Sequence, residues 1–135
     1  MLWLALLAAP LVWLLLHLLG LPLRQSPLNV VPVLFVVVAY PILEDIVFRG
    51  AIQGTLLNYS VLSKSFAGIS VANVLASALF AAAHLLSQPL GWAALIFLPS
   101  LVFGWALERH KTLYSPILLH MSYNAGFIGI FQTAG

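Results

Sequence analysis

Cysteine is absent from this chain of 135 residues, and acidic side chains number only 3. Without thiols there is no disulfide framework, no thiolate nucleophile and no Cys-ligated metal. Asp45 is the only aspartate, which excludes an aspartyl dyad. A Gly-x-Ser-Gly serine site is missing too, since Gly68-Ile69-Ser70-Val71 is not one, and so is a His-Glu-x-x-His helix. Basic residues are also few: 5 Lys/Arg stand singly, giving a net charge of +2 and a pI near 9.3 without a basic stripe. That distribution offers nothing to nucleic acid, so no nucleic-acid partner is expected.

What the chain does contain is apolar. Hydrophobic residues make up 63%, charged ones 6%, and mean hydropathy is +1.11. These values exclude a soluble globule and define an integral membrane protein with the lipid bilayer as its solvent. At roughly 20 residues per span there is room for about five, so the fold expected is all-α, a polytopic transmembrane helix bundle forming one domain over 1–135.

Met1 to Gly20 has no basic region beyond the amino terminus and reads as a first span rather than a cleaved signal. His17 there is an interfacial or hydrogen-bonded histidine. Pro22 and Arg24-Gln25-Ser26-Pro27 mark a turn. A second segment from Asn29 is kinked at Pro41 and continues to Asn58-Tyr59-Ser60. The third, Phe66 to Leu86, carries Gly68, Ala72, Ala76, Ser77, Ala78, Ala81, Ala82 and Ala83, the small residues that let helices approach closely in lipid. Ser87-Gln88-Pro89 breaks it. A fourth runs from Trp92 to Leu107 and ends at Glu108-Arg109-His110-Lys111, and a fifth starts near Ser115-Pro116.

Trp92, Trp105, Tyr114 and Tyr59 fall near span ends, as interfacial aromatics do. Lys64, Arg109 and Lys111 count toward one side and Arg24 toward the other, which predicts a cytoplasmic N-terminus and an external C-terminus.

Three ionisable residues lie inside one apolar run, Pro41-Ile42-Leu43-Glu44-Asp45-Ile46-Val47-Phe48-Arg49-Gly50. Each charge costs roughly 2.5–3.5 kcal/mol in hydrocarbon on insertion-derived scales, so three ask for on the order of 10 kcal/mol. That rivals the stability of a whole domain, roughly 5–15 kcal/mol. Pairing, together with a chemical task, is the default explanation. Asp45 and Arg49, four apart, share a helical face, so they are expected to pair; Glu44 faces elsewhere, toward whatever the bundle supplies. The bland alternative is one structural knot of all three.

Two further pairs lie four apart on other spans: Phe80 with His84, and His120 with Asn124. A Glu and two His can abstract a proton from water or hold a metal. Asn124, or a protonated His120, can donate to a developing oxyanion. His110, among Glu108, Arg109 and Lys111, is most simply a loop residue.

Glu44-Asp45-x-x-x-Arg49, Phe80-x-x-x-His84 and His120-x-x-x-Asn124, in this order, resemble the three motifs of the CAAX prenyl protease and bacteriocin-processing family, also called the Abi family of intramembrane proteases. Phe48-Arg49-Gly50 and Tyr114-Ser115-Pro116 sit in similar settings, and the likeness covers roughly Val30 to Gly126. Asp45 departs from it, since the family usually carries a second Glu there. The resemblance also implies seven or eight spans, more than the five expected here.

It implies peptide-bond hydrolysis near the C-terminus of a membrane-bound peptide or protein, in an integral, multi-pass protein of a prokaryotic cell membrane. Carried over, Glu44 is the general base, assisted by His84; His120 and Asn124 hold the oxyanion; Asp45 and Arg49 position Glu44, with Phe80 supporting. A metal-free mechanism is preferred because the candidate ligands come from three separated spans. The competing view is a divalent metal such as zinc on Glu44, His84 and His120. Either this core suffices alone, or an oligomer or partner subunit completes it, or the chain is a minimal or degenerate member.

His84 falls near the end of its span and His120 near the start of its own, so their convergence needs tilt, a helix start recessed into a cavity or a break at Pro89 or Pro99, and an aqueous cavity reaching Glu44 is expected. The rival from another class is a non-catalytic membrane immunity or scaffold protein that keeps the bundle. A proton-linked transporter is a third reading, disfavoured without inverted repeats.

Overall fold

A computed structural model describes residues 2–18 and 30–131. Apart from one short hairpin and the turns that join the elements, these residues are helical: α1 is Leu2–Leu18, α2 is Val30–Leu56, β1 is Ser65–Phe66, β2 is Ile69–Ser70, α3 is Val71–His84, α4 is Leu90–His110 and α5 is Tyr114–Phe131. The turn expected at Pro22 to Pro27, with Arg24, and the side chain of His17 lie outside what is described.

The all-helical expectation holds, but five spans are not all established. Two helices among the described residues are long and apolar enough to cross a membrane, Val30–Leu56 and Leu90–His110. At 1.5 Å per residue the 14 residues of α3 reach only about 21 Å, short of a hydrocarbon core of about 30 Å. In α5 the polar side chains of His120, Ser122 and Asn124 dilute the apolar run.

The chain divides into two compact units, Leu43–Ile117 and Met1–Ile42 with Leu118–Gly135. In the first, α3 packs on α4 and on the second half of α2. Ala72 and Ala76 of α3 and Ala93 and Ala106 of α4 are buried. This bears out the small-residue expectation on one face only, for Ala78, Ala82 and Ala83 lie on the exposed side. Gly104 of α4 takes the closest approach: a Cβ there would overlap the side-chain amide of Asn73.

The start of α3 differs from the span expected at Phe66. Ala67 and Gly68 both take positive φ, 52° and 82°, the combination that a two-residue type I′ hairpin demands, so Phe66 and Ile69 pair as strands. Ser70 then caps α3, its Oγ accepting from the Asn73 N–H at 2.9 Å. Gly68 was therefore a turn residue rather than a packing one. At the other end, Lys111 terminates α4 in the left-handed region, with its N–H on Leu107 O at 2.8 Å.

In the second unit, α1 lies against α5. The Tyr123 hydroxyl donates to Ala5 O at 2.6 Å, and Trp13 meets Phe127 edge-on at 5.2 Å between ring centroids.

Two stretches of α2 have π-helical hydrogen bonding, Phe35–Ala39 and Ile46–Gln53. In the first, the Tyr40 N–H reaches Phe35 O, five residues back. The same register assigns Val36 O to residue 41, which is proline and has no N–H to give. Pro41 thus alters the register of α2 instead of ending it, and π segments of this kind concentrate at functional sites.

Candidate active site

Glu44 and Asp45 are carried on the α-helical turn Tyr40–Asp45, between the two π stretches of α2. Asp45 is fully buried and Glu44 partly so. The i,i+4 pair expected from the sequence is present: Arg49 Nε stands 3.6 Å from Asp45 Oδ1, with both side chains shielded from solvent.

Arg49 is held by far more than Asp45. Its Nη1 donates to Gln53 Oε1 at 3.4 Å and to Ser77 Oγ at 3.3 Å, and its Nη2 donates to Ser100 Oγ. The guanidinium carbon also lies 5.5 Å from the centre of the Phe80 ring, near enough for a cation–π attraction. A buried guanidinium is tolerable only when its five N–H groups find such acceptors.

These bonds extend into a closed circuit across three helices. Gln53 Nε2 donates to Glu108 Oε1 at 2.7 Å and to Gly104 O at 3.1 Å; Ser70 Oγ donates to the same Glu108 oxygen at 2.6 Å. Ser70 caps Asn73, and Ser77 Oγ donates to Asn73 Oδ1 at 3.0 Å, which returns the circuit to Arg49. Asn73 Nδ2 adds a bond to Leu101 O at 2.9 Å.

Gln53, Ser70, Asn73, Ser77, Ser100 and Glu108 are not marked as site residues by the sequence, Ser77 standing there only among the small packing residues. One signal was legible, since Asp45, Arg49 and Gln53 repeat at intervals of four and continue a single polar face. The serines and Asn73 carry no such mark, because small polar residues are also ordinary packing residues in membrane helices.

Phe80 and His84 are together as expected. Their rings are 4.6 Å apart, and Phe48 meets Phe80 edge-on at 5.1 Å. His84 Nδ1 lies 2.9 Å from Phe80 O. A carbonyl can only accept, so Nδ1 carries the proton, and a neutral His84 presents Nε2 as its acceptor. His84 is partly exposed.

His120 and Asn124 belong to the second unit. His120 is buried, and Asn124 Nδ2 donates to Val36 O at 2.8 Å. That carbonyl is the one denied its backbone donor by Pro41, so Asn124 replaces a missing peptide N–H. One amide hydrogen of Asn124 is committed there and a second is left to donate.

The structure therefore brings Glu44, Asp45, Arg49, Phe80 and His84 into one unit, with His120 and Asn124 in the other. His110, the residue assigned to a loop, ends α4 exposed, its ring 6.3 Å from Trp105. Among the described residues neither unit gathers three His, Asp or Glu side chains able to hold a metal ion.

Among the described residues many large apolar side chains face outward, while an acid–arginine pair is buried on α2. The model of the family described as Type II CAAX prenyl endopeptidase Rce1-like matches residues 25–126, and the chain belongs to that family. A curated relative, the membrane-embedded CAAX protease MroQ of Staphylococcus aureus (strain USA300), is 33% identical over 100 residues. That alignment takes in 74% of this chain and 38% of the relative, so the chain spans well under half the length of the curated protein it matches. No solved structure matches. The resemblance drawn from the three motifs is thereby borne out, and the protein is an integral membrane protein.

Proposed function

We propose that the chain is an intramembrane endopeptidase that hydrolyses a peptide bond near the C-terminus of a membrane-associated peptide or protein, using water activated by Glu44. The observation that carries this reading is the buried Asp45–Arg49 pair, which locks the helical turn bearing Glu44. A base must be held in place to act, and a carboxylate on a turn clamped by its neighbour meets that need.

In this mechanism Glu44 takes a proton from water, and the oxygen attacks the scissile carbonyl carbon. His84, with Nδ1 committed to Phe80 O, offers Nε2 to the same water and shares the proton. The negative charge that develops on the carbonyl oxygen is met by donors from His120 and from the second amide hydrogen of Asn124. Collapse of the tetrahedral intermediate breaks the C–N bond, and the proton first taken by Glu44 passes to the leaving amine.

A metal-free reaction is favoured because the chain has no His-Glu-x-x-His helix, the arrangement that fixes two zinc ligands and a base on one face. In the metal-dependent version Glu44, His84 and His120 would be the ligands, and the metal would polarise water and carbonyl alike.

The test is cleavage of a tagged membrane substrate by wild type and by Glu44→Gln, each with and without chelator. Loss of at least about 100-fold in turnover is expected for Glu44→Gln, with no change in thermal unfolding, and no effect of chelator on wild type. Equal turnover by the two proteins would remove Glu44 as the base, no cleavage by either would leave the scaffold reading standing, and loss with chelator would restore the metal.

A further inference from the structure

The polar line that starts at Asp45 ends at Glu108, which is one of the 3 acidic residues of the chain and the one that the mechanism above does not use. We propose that Glu108 is a positioning residue for that reaction, holding Arg49 through the side-chain amide of Gln53 and so fixing the turn that carries Glu44. The proposal rests on the protease reading.

The orientation of Gln53 is set by its neighbours. Its Oε1 faces the Arg49 Nη1 at 3.4 Å, and its Nε2 faces Glu108 Oε1 at 2.7 Å and Gly104 O at 3.1 Å. Turning the amide over would put N–H against N–H at Arg49 and oxygen against two oxygens at the other end, so one orientation survives. The amide dipole is then aligned between a cation and an anion. Arg49 sits between two acids, Asp45 directly and Glu108 through Gln53.

Glu108 is itself anchored. Ser70 donates to it at 2.6 Å while accepting the Asn73 N–H at 2.9 Å, which pins the carboxylate beside the N-terminus of α3, where a negative charge is favoured. Through Asn73 and Ser77 the same anchor returns to the guanidinium. Each bond in such a closed circuit restrains the next, so a loosened Glu108 reaches Arg49 by two routes, and Arg49 is the partner of Asp45.

The experiment measures kcat, KM and the pH profile of kcat for the full chain in nanodiscs, with a fluorogenic farnesylated peptide ending in a CAAX sequence and an acyl-anchored leader peptide as probes. Glu108→Ala is expected to lower kcat about tenfold with KM unchanged and to displace the pH profile. Glu108→Gln, which keeps an acceptor for Gln53 and Ser70, is expected to recover to within about threefold of wild type.

Gln53→Met cuts the same link from the other side, and its loss in kcat should not add to that of Glu108→Gln in the double variant. These two carry the test if Glu108→Ala does not fold. Wild-type kcat and profile in Gln53→Met, additive losses, or losses that match only a smaller folded fraction would overturn the positioning role while leaving the protease reading intact. No cleavage of either probe by wild type would overturn both.

Discussion

Two stretches of α2 follow opposite rules. Val30, Val31 and Leu34 expose 74%, 64% and 56% of their surface, whereas Asp45, Arg49 and Gln53 expose 0%. In water that arrangement would be inverted. In lipid an exposed aliphatic side chain loses nothing, and a polar one must find its partners within the protein. The first stretch needs only composition to be stable. The second is stable through named acceptors on two other helices, and so its tolerance of change should be far lower.

The largest break in this contrast is expected from Arg49→Ala. It leaves the Asp45 carboxylate without its cation and removes a donor each from Gln53, Ser77 and Ser100, which should cost about 3–5 kcal/mol in unfolding measured in detergent. An unchanged unfolding midpoint would mean that the pair is not what holds the turn. Gly104→Ala should come next. The added methyl meets Asn73 and Gln53 Oε1, so α3 and α4 must separate or the circuit must open, at about 1–3 kcal/mol. Thermal unfolding of the variant checks the value, and a wild-type midpoint would show that the helices have room to spare. Leu34→Ala should move the midpoint least, by within about 0.5 kcal/mol, because it trims a side chain that faces outward. A larger loss would place Leu34 at a contact instead of toward lipid.

The same contrast governs what could be foreseen. The Asp45–Arg49 pair was legible because both residues are on one helix, and helical spacing turns a difference of four in sequence into a shared face. Phe80 with His84 was legible for the same reason. The acceptors of Arg49 were not, since Ser77 and Ser100 lie 28 and 51 residues away and no local periodicity connects them to it. The start of α3 was misjudged at Phe66 because apolar periodicity runs unbroken through the hairpin, and only the positive φ at Ala67 and Gly68 shows that the chain turns there. Asn124 was expected to serve an oxyanion; its bond to Val36 O could not be foreseen, because it depends on the π register that Pro41 imposes on a distant helix.

By itself, then, the sequence determined the solvent, the helical class and the charge pair, which follow from composition or from spacing along one helix, and its three motifs in order carried the family resemblance. Tertiary structure alone decided that Gln53 and Glu108 join that pair and that Asn124 answers for a proline, because a hydrogen bond between separate helices depends on how closely and in what register their backbones approach.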